Sequence, residues 1–153
     1  MIHINIVCVG KVKESYLKDA ILEYSKRLSK YCKLSFVEID DEQIPNNLST
    51  KTAENIKEIE GNKILAHIKN SYVIALDLKG KQYSSEDFSV KLENISLSNS
   101  NITFIIGGSL GLSKAVIEKS NELICFSKMT FPHQLIRVFL LEQLFRAFKI
   151  QNN

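Results

Sequence analysis

An arginine stands inside an apolar helix face near the end of this 153-residue chain. In "PHQLIRVFLLEQLFRAFKI", residues 132 to 150, a step of 100° per residue puts Ile136, Val138, Leu140, Leu141, Leu144, Phe145, Ala147 and Phe148 on an arc of roughly 200°. Arg137 falls within that arc, while Glu142, Arg146 and Lys149 gather opposite. A charge among apolar side chains is costly unless it is paired or reaches a polar cleft. Two readings follow. Arg137 lies in the first turn and can snorkel out past the helix end, or it lines a site shared by two subunits and meets an anion such as a phosphate or carboxylate. The arc is wider than one sheet contact needs, which predicts a second molecule packed on this helix and hence a homodimer.

Three further stretches could hold a ligand: the end of "VIALDL", the turn "IIGGSLG" and the loop "FSKMTFPHQ". The spacing of Gly107, Gly108 and Gly111 is not that of a dinucleotide-binding G-x-G-x-x-G, and no Gly-Lys-Ser/Thr follows to make a phosphate-binding loop. Gly107 and Gly108 either let backbone approach a flat ligand or simply make a tight turn. Cys8, Cys32 and Cys125 are odd in number and widely spaced, as are His3, His67 and His133, so neither a disulfide framework nor a metal centre is expected.

These residues need a scaffold, and length and composition suggest one domain over residues 1–153. Hydrophobic residues are 44% and charged residues 24% of the chain, and no apolar run approaches the ~18 residues of a membrane span. The opening "MIHINIVCVGKVKESY" reads as a first strand rather than an export signal, which predicts a cytoplasmic protein. The net charge of +3 is unevenly spread: residues 11 to 33 hold seven Lys/Arg against three Asp/Glu, and residues 38 to 60 hold two against seven. The basic segment is either a phosphate-facing patch or the solvated side of a helix.

The punctuation of the chain alternates. Strands are expected at "IHINIVCVG", "KLSFVEI", "YVIALDL", "NITFII" and "ELICFS". Helices are expected over residues 14 to 31, from Ser49 or Thr50 to near Asn70, after Ser84 or Ser85, after Ser113, and from Pro132 onward. Gly61 predicts a bend or break in the second helix. Strictly alternating strands and helices, with continuous apolar strands, predict an α/β fold: a mainly parallel sheet with helices on both faces. In such sheets ligands sit beyond the carboxyl ends of the strands, where the three candidate stretches fall.

The stretches "VGKVKE", "EYSKRLSKY", "LDLKGKQYSSEDF", "FIIGGSLGL" and above all "SKMTFPHQLIRVFLLEQLFRAFKI" resemble, nearly end to end, the ribosomal RNA large subunit methyltransferase H family of the SPOUT class. The resemblance implies a C-terminal trefoil knot and S-adenosyl-L-methionine as cofactor. It further implies methylation of N3 of a pseudouridine in helix 69 of 23S rRNA on the assembled ribosome. Carried over residue by residue, it implies a cofactor pocket of Leu76, Gly108, Ser127, Lys128, Met129, Thr130, Phe131 and Pro132. Read on their own, Met129 and Phe131 could equally be core residues. His133 is a candidate for handling the N3 proton, and Arg137 for binding substrate phosphate or orienting the cofactor carboxylate. Lys11, Lys13 and the basic first helix are expected to face the ribosome. The family's pattern continues with a Gly-Glu-x-Tyr-His-Lys tail, whereas this chain ends in "KIQNN". That difference favours cofactor binding over full turnover and keeps a non-catalytic ribosome-binding module as the alternative. A flavodoxin-like nucleotide-binding regulator is a third reading.

Overall fold

The order of apolar runs and caps resolves, in a computed structural model that describes residues 1–152, into ten alternating elements. They are β1 (Ile2–Val9), α1 (Ser15–Leu28), β2 (Cys32–Ile39), α2 (Thr50–Leu65), β3 (Tyr72–Lys81), α3 (Ser85–Ser98), β4 (Asn101–Ile106), α4 (Lys114–Lys119), β5 (Glu122–Ile124) and α5 (His133–Gln151). The strands form one five-stranded sheet in the order β2-β1-β4-β3-β5, with every pairing parallel. Alternate residues of the central strands feed opposite faces, because successive Cβ atoms point to opposite sides of a pleated strand. Ile4, Ile6 and Cys8 of β1 and Ile102, Phe104 and Ile106 of β4 pack with α1, α3 and α5. Val7 and Val9 with Ile105 pack with α2 and α4 on the other face. The α/β, parallel, two-faced arrangement expected from the sequence is the one observed.

The serine caps act as their positions suggest. Ser49 accepts a hydrogen bond from Thr52 N, Ser84 from Asp87 N and Ser113 from Val116 N, each satisfying a donor that the helix leaves free. Helix α2 departs from expectation. It runs through Gly61 without a break and ends at Leu65, five residues short of Asn70. Gly61 is a packing position: a Cβ there would lie 2.3 Å from Ser113 Oγ, so its lack of a side chain lets the start of α4 sit against α2. The chain then turns at Asn70, in the left-handed region with φ +45°. Strand β5 is also shorter than "ELICFS", stopping at Ile124.

The width of the apolar arc on α5 is largely accounted for within the chain. Leu140, Leu141, Leu144, Ala147 and Phe148 are buried, because α5 lies between α1 and α3 as well as on the sheet. Tyr31, just past α1, stacks on Phe148 with ring centroids 5.5 Å apart. On the other flank Ser89 of α3 donates to Ala147 O at 2.9 Å. What remains open on α5 is chiefly Phe139, 37% exposed, and Ile150, 38% exposed.

Candidate functional site

The register brings the candidate residues to one edge. Leu76 of β3 pairs with Ile106 of β4 on one side and with Ile124 of β5 on the other. Gly107 and Gly108 follow Ile106, and residues 125 to 132 follow Ile124, so these two segments leave the sheet on either side of Leu76, the last residue of β3 paired with β4. β3 meets Ile124 twice, first at Leu76 and again at Lys81, and Cys125 N donates to Lys81 O at 3.0 Å. Between these contacts a Cβ on Gly80 would lie 2.6 Å from the backbone of Leu123 and Ile124, which marks a close crossing of two backbones.

The loop of residues 125 to 132 is held by its own short bonds. Cys125 Sγ donates to Ser127 O at 3.0 Å, and Met129 N donates to Ser127 Oγ at 3.0 Å. Lys128, Met129, Thr130 and Pro132 are exposed. Met129, at 74% exposed, is therefore not a core residue. Phe131 is half-buried and meets Phe139 edge to face, with centroids 5.4 Å apart. A cleft of about 240 Å³ opens here, lined among others by Tyr83, Phe88, Phe126, Phe131, Phe139 and Gln143. Of the predicted cofactor residues only Phe131 lines it. Gly108 and His133 line a second, smaller depression of about 20 Å³. Of the predicted cofactor set, Phe131 lines one concavity and Gly108 the other, while Leu76, Ser127, Lys128, Met129, Thr130 and Pro132 line neither.

Arg137 is completely buried, so it does not snorkel. Its Nη1 donates to Glu38 Oε2 at 2.8 Å, and its Nη2 donates to Val9 O at 3.0 Å and Gly10 O at 2.8 Å. The anion it meets is a carboxylate of its own chain, and the guanidinium ties the start of α5 to the carboxyl ends of β1 and β2. Only its Nε lacks a partner. Gly10 adopts φ +93°, a conformation open to glycine and strained for other residues. That turn brings the Gly10 backbone under His133, whose Nε2 would lie 3.6 Å from a Cβ there. Burial, and then the Arg137 charge, push the His133 pKa below 6.5, with Asp41 pulling the other way. Burial and the Arg137 charge both favour the neutral imidazole over the imidazolium.

Sequence reasoning missed Glu60. It sits between Ile56 and Ile64 on one face of α2, spaced four residues from each, and is 5% exposed. Its Oε2 accepts from Glu42 N at 3.0 Å, while Oε1 has no partner. A Cβ on Gly108 would lie 3.4 Å from that oxygen and 3.2 Å from Val9 Cγ1. An acidic residue in register with two buried isoleucines was the available signal. Lys11 and Lys13 are exposed on the turn after β1; Lys11 lies 3.5 Å from Asp40, and its carbonyl accepts from Gln134 Nε2 at 3.2 Å. Among the described residues no group of His, Cys, Asp and Glu is placed to hold a metal, and no helix is long and apolar enough to cross a membrane.

A parallel α/β sheet with its candidate residues at the strand ends is a scaffold for binding and transfer chemistry, and comparison defines the class. Residues 2–153 match the family described as "Predicted SPOUT methyltransferase". A solved structure described as a probable methylase family protein from Haemophilus influenzae Rd KW20 shares the fold. Its TM-score is 0.57 at 13% identity, over 98% of this chain and 68% of that one. Two relatives, both named "Ribosomal RNA large subunit methyltransferase H", are closer in sequence. One, from Clostridium botulinum (strain Alaska E43 / Type E3), is 63% identical over 98% of this chain and 96% of its own length. The other, from Clostridium acetobutylicum, is 58% identical over 97% of this chain and 94% of its own. The chain belongs to the ribosomal RNA large subunit methyltransferase H family of SPOUT methyltransferases.

Proposed function

We propose that this chain is an rRNA methyltransferase that uses S-adenosyl-L-methionine to methylate N3 of a pseudouridine in helix 69 of 23S rRNA, on the assembled ribosome and in the cytoplasm. The observation that carries the reading is the side-by-side placement of Leu76 of β3, Gly107–Gly108 just after β4 and residues 125–132 just after β5, in a member of this family. The residues present fit such a cofactor. Gly108 leaves open the space that a Cβ would fill beside Val9 and Glu60, and a buried carboxylate oxygen there has no partner among the described residues. Leu76 and Phe131 offer apolar contact, and the backbone of Ser127, Lys128, Met129, Thr130, Phe131 and Pro132 offers donors and acceptors for an adenine edge.

The bound cofactor supplies a methyl group already activated on a sulfonium. The chain has to hold the acceptor nitrogen in line and keep water out. His133 is assigned to take up the N3 proton, since its lowered pKa favours the neutral form. Arg137, with three hydrogen bonds inside the chain, is assigned as a positioning residue for His133 rather than a phosphate ligand. Lys11 and Lys13 would meet RNA phosphates. The double contact of β3 with Ile124 and the close crossing at Gly80 support a threaded, knotted C-terminal region. The open Phe139 and the cleft beside Phe131 support a homodimer that covers them.

Methyl transfer to ribosomes lacking the modification tests this directly, with the product nucleoside identified by mass spectrometry. The expected product is 3-methylpseudouridine located to helix 69. Cofactor binding without any transfer would favour a non-catalytic ribosome-binding module instead, and sedimentation as a single chain would remove the dimer.

A further inference from the structure

We propose that Glu60 accepts a hydrogen bond from the amino-acid ammonium group of the methyl donor, in the small depression between the carboxyl ends of β1 and β4. The assignment rests on the cofactor reading above. β1 leads to β2 on one side of the sheet, while β4 leads past β3 to β5 on the other. The gap between these two strand ends is where such sheets place ligands. The depression there is lined by Asp41, Glu42, Glu60, Gly108 and His133, among others. Its volume of about 20 Å³ admits one small polar group.

Glu60 is held in place from two sides. Ile56 and Ile64, one helical turn away on either side, are buried, and Ile64 packs with Val7, Val9 and Ile105 of the sheet. Gly61 lets Ser113 close onto α2, where a Cβ would lie 2.3 Å from its Oγ, and so draws the helix toward the 107–113 turn. One carboxylate oxygen is used by Glu42 N. The other is buried, has no partner, and lies against the open side of Gly108. An ionised carboxylate can only accept, so an idle buried oxygen calls for a donor. Among the described residues no basic side chain supplies one: Lys63, the nearby cation, donates instead to Glu42 Oε2 at 2.9 Å and Asp40 O at 3.3 Å. With Asp41 and Glu42 beside it, the depression disfavours an anion and favours a cationic N–H donor. Burial, reinforced by those two acids, also raises the Glu60 pKa, the state expected of a carboxylate whose partner arrives with the ligand.

The test is calorimetric titration of the full chain and of Glu60→Gln with three probes. S-adenosylmethionine carries both the ammonium and the sulfonium, S-adenosylhomocysteine the ammonium alone, and methylthioadenosine neither. The substitution should weaken the first two by roughly 10- to 100-fold, the range of a charge-assisted hydrogen bond, and leave methylthioadenosine within about twofold. Unchanged methylthioadenosine affinity also shows that the variant is folded with its adenosine site intact. Equal affinity of wild type and variant for all three ligands overturns the assignment, as does an equal loss of all three. Weakening of S-adenosylmethionine alone would put Glu60 against the sulfonium and also overturn it. If wild type binds none of them, the cofactor reading fails, and this inference with it.

Discussion

Arg137→Met puts the junction between α5 and the sheet to its most direct trial. The methionine keeps most of the apolar stem but removes donors to Glu38, Val9 O and Gly10 O. Glu38 loses little by this. Its side chain is 37% exposed, so water can replace the guanidinium, and it keeps a hydrogen bond from Val12 N at 2.9 Å. The two carbonyls fare worse, because the bonds they lose are buried, and each unsatisfied buried acceptor costs about 1–3 kcal/mol. Relief from burying a charge offsets part of that. The net expectation is a loss of about 2–4 kcal/mol, read as a lower urea midpoint at unchanged slope. Glu38→Gln keeps an acceptor for Nη1 but leaves the buried guanidinium without its charge partner, so it should itself cost about 1–3 kcal/mol, and the pair should couple in a double-mutant cycle. Arg137→Met unfolding within about 0.5 kcal/mol of wild type would contradict these roles.

Burial holds the Glu60 carboxyl above 4.5, so its contribution to stability is present below that pH and is lost as pH rises through the raised folded value. Glu60→Gln should therefore be more stable than wild type at pH 7 by about 1 kcal/mol, with the gap closing below pH 4.5; a less stable variant at pH 7 would contradict this. His133 is shifted the other way, below 6.5, so folding disfavours its proton. Stability should fall as pH drops from 6.5 toward the lowered folded value, and His133→Gln should flatten that part of the curve in thermal melts. Gly61→Ala would place a Cβ 2.3 Å from Ser113 Oγ. It should cost about 1–3 kcal/mol despite the better helix propensity of alanine. Much of that cost should vanish in a Ser113→Gly background, and equal costs in both backgrounds would deny the contact.

The architecture follows from local signals that tertiary packing did not override. The strands "NIVCV" and "TFII" read as unbroken apolar runs because both faces of the sheet are covered, and serine caps mark three helix starts. Strand order is another matter. Alternation implies parallel pairing but not that β4 inserts between β1 and β3, since that depends on which apolar faces meet. The partners of Arg137 were hidden for the same reason: Glu38 is 99 positions away, and the other two are backbone carbonyls, which every residue has. Gly61 misled because propensity sees only the lost helix entropy, whereas the position is set by Ser113 on another element. Residues 76, 108 and 127 to 132 were singled out by family resemblance. The sheet register sets Leu76 beside the strand ends that precede the other segments.

The central claim is that the methyl donor is held beside Leu76 of β3 and the carboxyl ends of β4 and β5, next to the start of α5. Amide chemical shifts of the nitrogen-15-labelled chain, followed during titration with S-adenosylmethionine, test it most directly. The perturbed amides should cluster at Leu76–Leu78, Gly107–Gly111 and Ser127–His133, together with Glu60 and its neighbours, leaving α1 and β2 silent. Shifts confined to α1 or to the far ends of the strands, or none at millimolar cofactor, would contradict it.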